Sequence, residues 1–509
     1  MLRKRSLTLC LLALLFASVG SFAPGARAQQ SAAEGEFVAV PEEAYVLFQN
    51  ESGETICRVA NAAERARINR QSGDTHVIYR GAPLRRKIVH GNEVLEANSS
   101  ADNTGLALLP SAGLTIVLEG TAQLDANPTA KNAFIIAANR WEAIISTPIT
   151  ITLKVDYGTT FFGEEYGDAN ILGQTGSFII KSNGNDPSLS TVRQRLIASG
   201  QTASELELYN ALPSSSVPVE FNGTTVSASS VRVNTALARA IGFNLAAGTD
   251  AQIGFNSNFG NGGQFDFNPD DGIASGQTDF DSVVTHEIGH ALGFSSANGG
   301  ANSSPLTVWD LFRFRPSTVS VSTFATAPRA MTKGGTQVFF GNFTSTFATQ
   351  ELSLSTGGPN PPEGDTDDGR QSSHWKADEL LSTRPYIGIM DPTLSRSLRR
   401  TISENDIRAI DLLGYSVAFN PTRPANDNFA SAADLQGASG NFTGTSVFAT
   451  REAGEPLHAG FQGDKSVWFT WTAPTTGPAT FDTVGSNFDT TLSVYRGTTV
   501  SFLATDATN

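Results

Sequence analysis

The segment 278–293 constrains the fold of this 509-residue chain most strongly, because its pattern predicts one well-defined helix. Three residues recur at helical spacing and form an apolar face that would lie against a core: Val284, Ile288 and Ala291. Thr278, with Asp281 three residues later, fits a capping box, and Gly293 can end the helix. We therefore expect a helix from about residue 279 to residue 293.

Two histidines, His286 and His290, are four positions apart in this segment and point in the same direction on a helix. Glu287 lies beside them. Two imidazoles one turn apart can bind one zinc ion, and the neighbouring carboxylate can then take a proton from the water that zinc activates. The alternative interpretation is a charged, solvated helix face, which needs no metal.

The run from His286 to Ser296 resembles the active-site helix of the metzincin metallopeptidases, including the glycine at Gly293. Most metzincins carry a third histidine where this chain has Ser296. Leishmanolysin-like peptidases instead carry it after a long insertion. His374, in a Ser-His-Trp run, and Met390, in a Gly-Ile-Met-Asp-Pro run, resemble that distant histidine and the methionine turn of the group.

This resemblance implies a fold, an activity and a set of site residues. The fold would be α+β, with a zincin/metzincin-like catalytic domain over 114–418 that contains the active-site helix. The activity would be that of a zinc-dependent endopeptidase acting on protein or peptide substrates, with Glu287 as general base and Met390 packed beneath the metal. Three histidines would hold the Zn²⁺: His286, His290 and His374.

The third metal ligand has a second candidate. A catalytic zinc generally has three protein ligands and one open position, and the helix supplies two of them. His374 lies after the helix and within the predicted catalytic region, whereas three other histidines lie outside that region: His76, His90 and His458. Asp310 lies 20 residues after His290, a separation at which other zincin groups place a carboxylate. Asp310 could equally be a capping or surface group.

The first 28 residues have the layout of a secretory signal peptide. A short apolar run, Leu7–Val19, is followed by Ala26-Arg27-Ala28, a small-x-small cleavage site. The basic start consists of Arg3, Lys4 and Arg5. A membrane anchor is the alternative, but the run is shorter than the ~20 apolar residues that a membrane span needs. We expect cleavage near Ala28, a secreted, extracellular product, and no membrane insertion after cleavage.

Cleavage would remove four basic and no acidic residues, so the formal net charge would move from −14 to −18. An acidic surface disfavours nucleic acids and anionic membranes as partners. Cys10 would leave with the signal peptide, and Cys57 would remain as the one cysteine of the mature chain. A thiolate is a good zinc ligand, so Cys57 could block the open metal position and keep a precursor latent. A cysteine that simply packs in a core is the alternative.

We predict five regions in the chain. After the signal peptide, residues 29–113 would form an N-terminal segment or pro-region. The catalytic domain, 114–418, would be followed by a linker, 419–424, and by a β-sandwich accessory module, 425–509. That module resembles the β-sandwich domains appended to secreted bacterial peptidases, and we expect that the chain ends before such a sandwich closes.

The catalytic region contains predicted strands and helices before the histidine helix. Periodicity indicates strands at 114–118, 149–155 and 251–255, and helices at 130–145 and 229–241. The strand near Ile253 precedes the histidine helix, as the substrate-binding edge strand does in metzincins. An ordinary strand inside the sheet is the alternative.

Two acidic loops could bind structural Ca²⁺ through oxygen ligands, although neither matches an EF-hand and both could be solvated turns. Their polar residues are Asp266, Asn268, Asp270 and Asp271 in one loop, and Asp365, Asp367 and Asp368 in the other. A second function class also fits the sequence: an exported adhesive or binding protein with a degenerate zincin domain.

Overall fold

Three segments with alternating apolar residues, around Ile116, Ile151 and Ile253, form neighbouring parallel strands of one large sheet. The sequence therefore predicts these strands correctly. The computed structural model describes residues 36–70, 73–81, 85–89, 92–96, 113–260, 264–268, 272–300, 305–316, 318–341, 351–357, 367–381, 386–417 and most of 424–508. The described elements from Phe37 onwards belong to one compact unit.

Strands are present throughout the described part of the chain. In chain order they are β1 Val38–Gln49, β2 Thr55–Val59, β3 Thr75–Arg80, β4 Arg85–Val89, β5 Asn92–Glu96, β6 Thr115–Thr121, β7 Thr150–Gly158, β8 Thr160–Phe161, β9 Glu164–Glu165, β10 Ile171–Lys181, β11 Val217–Phe221, β12 Thr224–Ala228, β13 Val231–Arg232, β14 Ala251–Asn256, β15 Phe265–Asp266, β16 Thr278–Asp279, β17 Leu306–Thr307, β18 Arg313–Phe314, β19 Arg329–Ala330, β20 Val338–Phe340, β21 Glu351–Ser353, β22 Thr393–Leu394, β23 Ala433–Leu435, β24 Phe469–Trp471, β25 Ser493–Arg496 and β26 Ala504–Thr508.

The largest sheet has eight strands in the order β22-β2-β1-β10-β14-β7-β6-β3. Strands β6, β7 and β14 are parallel, and β10 runs antiparallel to β14. Strand β1 adds antiparallel to β10, followed by β2 and β22. The interpretation of the Ile253 strand as a substrate-binding edge strand is therefore wrong, because β14 has a partner on each side and all its residues are buried.

A six-stranded sheet, in the order β12-β11-β19-β18-β20-β21, combines two strands that precede the histidine helix with four short strands that follow it. The remaining pairs are short: β13 with β17, β15 with β16, β4 with β5, and β8 with β9. Beyond residue 424, the described strands form two pairs, β23 with β24 and β25 with β26. The separate sandwich module predicted there stays a prediction.

Eight α-helices are described. They are α1 Ala62–Ile68, α2 Ala122–Asp125, α3 Pro128–Ile144, α4 Leu189–Ser199, α5 Ala203–Ala211, α6 Thr235–Ala240, α7 Phe280–Leu292 and α8 Glu404–Leu412. The described chain is thus a mixed α+β structure, as predicted. None of these helices combines the length and apolar character needed to cross a membrane.

Two helices that the sequence predicts differ in their bounds from the structure. The helix expected over 130–145 is α3, which begins two residues earlier, with Asn127 as its N-cap and Pro128 at the first turn. The helix expected over 229–241 is shorter: residues 231–232 form strand β13, and α6 begins only at Thr235. β-Branched residues precede α6, and they fit a strand as well as a helix.

The histidine helix is α7, and its N-terminus differs from the prediction by one residue. Asp279, not Thr278, is the N-cap, and its carboxylate accepts a hydrogen bond from the Ser282 backbone N–H. Thr278 lies in the short strand β16 instead. Gly293 ends the helix in the left-handed region, at φ 118°, where glycine carries no steric penalty.

Helix α7 packs against both α3 and the central sheet, and every residue of it is buried. The Trp141 indole N–H of α3 donates to the backbone oxygen of Thr285, at 3.0 Å. Phe280, at the start of α7, contacts Phe134 of α3 and Phe255 of β14. These contacts anchor α7 to α3 and to the sheet, and they therefore fix the direction of its histidines.

Residues from the predicted N-terminal segment add strands to the central sheet. β1 and β2 extend it beyond β10, and β3 extends it beyond β6 at the other end. The proposed pro-region role of residues 29–113 stays a prediction. The signal peptide and its cleavage site, residues 1–28, lie outside the described residues, as do residues 419–423 of the linker.

Candidate metal and catalytic site

The structure brings the three histidines predicted as metal ligands together. Helix α7 supplies His286 and His290, and the loop before Trp375 supplies His374. The Nε2 atom of His374 lies 3.2 Å from Nε2 of His286 and 3.2 Å from Nε2 of His290. His374 and His290 are fully buried, and His286 is 6% exposed.

The other ring nitrogen of each histidine is bound to a backbone carbonyl. Nδ1 of His286 donates to the oxygen of Ile389, at 2.8 Å, and Nδ1 of His290 donates to that of Phe294, at 2.7 Å. Nδ1 of His374 donates to the oxygen of Gln371, at 2.9 Å. Since a carbonyl can only accept, each Nδ1 carries the proton and each Nε2 presents a lone pair.

Three converging lone pairs are the arrangement that a cation needs. Burial lowers the pKa of His286 to about 4 and the pKa of His290 and His374 well below the ordinary value, so the rings are neutral. Neutral imidazoles whose Nε2 atoms face one another at 3.2 Å repel, unless a shared positive ion lies among them. Carbonyl anchors on the far nitrogens are the usual outer support of metal-binding histidines.

Cys57 of β2 completes the cluster. Its Sγ atom lies 3.6 Å from Nε2 of His290, and the four donor atoms lie within 4.8 Å of one another. Burial, followed by the nearby Glu287, raises the pKa of the Cys57 thiol well above its ordinary value. A bound cation would offset both effects by stabilising the thiolate. The four residues therefore form a buried group that could hold a metal ion.

Glu287 lies beside this group and is fully buried. Its Oε1 atom is 4.0 Å from Sγ of Cys57, and its Oε2 atom has no hydrogen-bond partner among the described residues. Burial raises the pKa of Glu287 to about 8, although the Thr175 hydroxyl of β10 favours the ionised form. An unpaired buried carboxyl oxygen beside metal donors is costly unless it has a role there.

Met390 packs against helix α7, next to the residue that anchors His286. A Cβ atom built at Gly289 of α7 would collide with Sδ of Met390, so the absence of a side chain at Gly289 allows the close packing. Met390 is fully buried, and the residue before it, Ile389, anchors His286. The methionine loop thus contacts α7 at Gly289 and at His286.

Asp310, the rival third ligand, lies outside the cluster. Its carboxylate accepts from the backbone N–H groups of Ala297 and Thr307, at 2.9 and 3.1 Å, and pairs with the fully buried Arg313. Arg313 in turn donates to the backbone oxygen of Ser355, at 3.1 Å, and to that of Ser372, two residues before His374. Asp310 therefore supports the His374 loop from a distance.

Other candidates are placed elsewhere. Ser296, at the usual metzincin position of the third histidine, donates its hydroxyl to Asp310. His76 pairs with Asp125 on the surface, and His458 contacts Tyr495 in the C-terminal region. His90 lies outside the residues whose side chains are described.

The acidic loops predicted for calcium use their described carboxylates internally. Asp266 accepts from the backbone N–H groups of Asn268 and Ala274. Asp368 accepts from backbone N–H groups and pairs with Lys376, while Asp367 faces Lys333. The remaining predicted ligands lie outside the described residues: Asp270, Asp271 and Asp365. Calcium binding stays a prediction.

Tyr45 of β1 is a site residue that sequence analysis did not identify. Its ring stacks on the His290 ring, with the centroids 3.9 Å apart and the planes 6° apart. Its hydroxyl lies 3.1 Å from the Ser373 hydroxyl, beside His374. No sequence signal marks Tyr45, because its place depends on a strand pairing between residues more than 100 positions apart.

Comparisons of the chain with protein-family models, with curated proteins and with solved structures found no match. The argument for function therefore rests on the geometry of the described residues.

Proposed function

We propose that the protein is a secreted zinc-dependent endopeptidase of metzincin-like fold. The observation that carries the proposal is the set of three Nε2 lone pairs from His286, His290 and His374, with the unpaired carboxyl of Glu287 beside them. Imidazole and thiolate donors in one compact group fit zinc better than calcium or magnesium, which prefer oxygen ligands.

The residues of the chain divide the chemistry between them. Zinc, when bound, polarises a peptide carbonyl and makes water more acidic. The three histidines hold the ion by Nε2, and the carbonyls at Ile389, Phe294 and Gln371 keep those rings oriented. Glu287 receives the proton of the attacking water on its free oxygen and delivers it to the nitrogen of the leaving amine.

The described packing supports the metzincin-like assignment. Helix α7 lies against the sheet, ends at a glycine and rests on a methionine loop that follows the third histidine by 16 residues. Secretion, and a β-sandwich module after residue 424, belong to the same proposal. They rest on the sequence patterns of residues 1–28 and 425–509.

One observation favours a second candidate, a structural metal site. With Cys57, the cluster has four protein donors and no open position, which is typical of structural rather than catalytic zinc. Such a site explains neither the free oxygen of Glu287 nor its burial beside the donors. A catalytic site with Cys57 in the substrate-water position explains both features.

The test measures metal content and casein hydrolysis together. The Cys57→Ser chain is assayed before and after limited trypsin digestion, with trypsin then inhibited, in the presence and absence of 1,10-phenanthroline. The matched control carries Cys57→Ser and Glu287→Ala. We expect one zinc per chain in both proteins, and chelator-sensitive hydrolysis that Glu287→Ala lowers by roughly 10²–10⁴-fold. Bound zinc without hydrolysis in any form would favour the structural site.

A further inference from the structure

Two chain segments meet beside the candidate metal site, one after His374 and the other after Met390. The first continues into a 3₁₀ turn, Asp378–Leu380, and the second into Asp391. The Oδ2 atom of Asp391 accepts a hydrogen bond from the Asp378 backbone N–H, at 3.0 Å. The backbone N–H of the residue after His374 also donates to the oxygen of Met390, at 3.0 Å. The position of His374 relative to the Met390 turn therefore depends on these links.

A further link between the two segments passes through the Thr393 hydroxyl. Its oxygen lies 2.9 Å from Oδ1 of Asp391 and 2.8 Å from Oε2 of Glu379, which belongs to the 3₁₀ turn. A hydroxyl carries a single proton and can donate it to only one of two carboxyl oxygens. If both carboxyl groups were ionised, the other short contact would bring two oxygen lone pairs together with no proton between them. One of the two carboxyl groups must therefore supply a proton.

The proton belongs to Asp391 rather than to Glu379. Glu379 pairs with the guanidinium of Arg370, whose Nε lies 3.2 Å from Oε1, and such a pair favours the ionised carboxylate. Asp391 accepts from backbone N–H groups and lies beside a hydroxyl, and no cation pairs with it in the described part of the chain. It is 6% exposed, and burial raises the pKa of Asp391 from 3.8 to about 7. Below that pH, the Asp391 acid donates to the Thr393 hydroxyl, which donates to Glu379.

The surrounding charges disfavour a second carboxylate at this place. The titratable and charged groups that face these residues come from the 3₁₀ turn, the neighbouring loops, strand β2 and helix α7. They are Asp378, Glu54, Arg370 and Arg400, together with His286 and Cys57, which line the same cavity as Asp391 and Thr393. Arg400 pairs with Asp378, and Arg370 with Glu379, so both guanidiniums already have carboxylate partners. Ionisation of Asp391 would add a negative charge that neither of them offsets directly.

Loss of the proton would break the link through Thr393. The hydroxyl could then hold only one carboxylate, and the other would be repelled. The residues on either side of Asp391 reach the metal donors. The oxygen of Ile389 anchors His286, and the oxygen of Pro392 accepts from the Cys57 backbone N–H, at 2.9 Å. A displaced Asp391 would therefore loosen two of the four donor residues.

We propose that Asp391, Thr393 and Glu379 share one proton, and that this proton holds the segment after His374 against the segment after Met390. We call these three residues the carboxyl clamp. The clamp positions the metal donors without contributing a donor atom, and it opens as the pH rises above neutrality. The proposal rests on the metal site of the proposed function but not on peptide hydrolysis. Its tests measure protonation and zinc affinity alone, so failure of the clamp and failure of the peptidase function are distinguishable.

The first test looks for the proton itself. Infrared spectra separate the C=O stretch of a carboxylic acid from the bands of a carboxylate. The wild-type spectrum minus that of Asp391→Asn should show an acid band at pH 6 that is largely lost at pH 8.5. This subtraction removes other buried acids with raised pKa values, such as Glu142 and Glu287. Glu404→Gln, which removes an arginine-paired carboxylate on α8, is the control and should keep the band. Identical spectra of wild type and Asp391→Asn at pH 6 would overturn the shared proton.

Zinc affinity shows whether the clamp acts on the metal site. It is measured by chelator competition at pH 6 and pH 8.5 for wild type, Thr393→Val and Thr393→Ser. Valine has the shape of threonine without the hydroxyl, and serine restores the hydroxyl. At pH 6 we expect Thr393→Val to bind zinc about tenfold more weakly than wild type, and Thr393→Ser to stay within about twofold. At pH 8.5 the clamp is open in wild type as well, so the difference between wild type and Thr393→Val should largely disappear.

The dependence on pH distinguishes the clamp from an ordinary structural contact. Protonation of the donor residues changes zinc affinity in every variant, so the ratio of variant to wild type is the quantity compared. A ratio for Thr393→Val that is the same at pH 6 and pH 8.5 would overturn the proposal.

Glu379→Gln gives the same test if Thr393→Val does not fold. Its amide can donate to the Thr393 hydroxyl, which then donates to an ionised Asp391, so the clamp stays closed without a shared proton. This variant should bind zinc as tightly as wild type at pH 6 and about tenfold more tightly at pH 8.5. Equal affinity of Glu379→Gln and wild type at both pH values would count against the clamp.

Discussion

Gly289 and Met390 pack so closely that the helix could not carry a side chain at position 289. A Cβ atom there would lie far inside van der Waals contact with Sδ of Met390, and next to the Trp141 ring. Met390 is fully buried and cannot swing into solvent. The spacing of α7 above the methionine loop, and hence the position of His286 and His290, depends on this contact.

Gly289→Ala should therefore destabilise the protein and displace the metal donors. Alanine favours a helix over glycine by about 1 kcal/mol, but overpacking of a core typically costs about 1–3 kcal/mol, so a net loss of stability is expected. Thermal unfolding and zinc affinity are the measurements. Ala291→Gly, on the same helix but on its core face, should lower stability and leave zinc affinity nearly unchanged. Equal zinc affinity in wild type and Gly289→Ala would contradict the expectation.

Asp406 of α8 fixes the backbone beside two of the histidines. Its carboxylate accepts from the Trp375 indole N–H, at 2.8 Å, and from the Ile389 backbone N–H, at 2.7 Å. Trp375 follows His374, and the oxygen of Ile389 anchors His286. The asparagine of Asp406→Asn keeps one acceptor oxygen. Its NH₂ group would face either the Trp375 or the Ile389 N–H, which is itself a donor.

For Asp406→Asn we expect a fall in zinc affinity of about 10–100-fold, as for other outer supports of metal ligands, and a loss of about 1–3 kcal/mol of stability. Competition with a chromophoric chelator measures the affinity. Glu404→Gln, on the same helix, changes a carboxylate that pairs with Arg408 and serves as the control. Affinity losses of equal size in the two variants would show that Asp406 has no specific effect on the site.

The sequence predicts the helical part of the site well because local patterns determine it. The spacing of His286, Glu287 and His290 is visible in a single helix. The sequence does not show whether Thr278 or Asp279 is the N-cap, since both residue types cap helices and their positions differ by one. His374 depends on a resemblance, because no periodicity connects residues 84 positions apart.

The parts of the site that arise from strand pairing could not be predicted. Cys57 is noticeable as a lone thiol, but its contact with His290 requires β1 to pair with β10 and β2 with β1. Likewise, the segment around Ile253 reads as a strand, but its residues do not reveal how many strands flank it. Burial of both faces is a property of the assembled sheet.

His374→Ala should lower zinc binding, whereas Asp310→Asn should lower the stability of the fold. His374→Ala removes a donor atom, so bound zinc and peptide hydrolysis should fall together. Asp310→Asn leaves the donors in place but deprives the fully buried Arg313 of its charge partner, which typically costs about 3–5 kcal/mol. Metal analysis after dialysis, with thermal unfolding, measures both. Full zinc occupancy in His374→Ala would overturn the assignment of His374 as a ligand.

Because of Glu142 of α3, the free energy of unfolding should decrease as the pH rises from mildly acidic to neutral. Its carboxyl accepts from the Ile116 backbone N–H, at 2.5 Å, and from the Tyr79 hydroxyl, at 2.7 Å. Burial outweighs both contacts and raises the pKa of Glu142 from 4.5 to about 7. Between these two values, the folded protein holds a proton that the unfolded chain has already released, so the free energy of unfolding decreases as pH rises.

Glu142→Gln removes this titration, so the free energy of unfolding should depend less on pH between about 4.5 and 7. Between pH 4.5 and pH 7.5, wild type should lose on the order of 1–3 kcal/mol more of its free energy of unfolding than Glu142→Gln loses. Denaturant unfolding at several pH values between 4.5 and 7.5 measures it, and Glu207→Gln on the exposed side of α5 is the control. If the wild-type and Glu142→Gln slopes were parallel throughout the window, the buried carboxyl would not be the group that titrates.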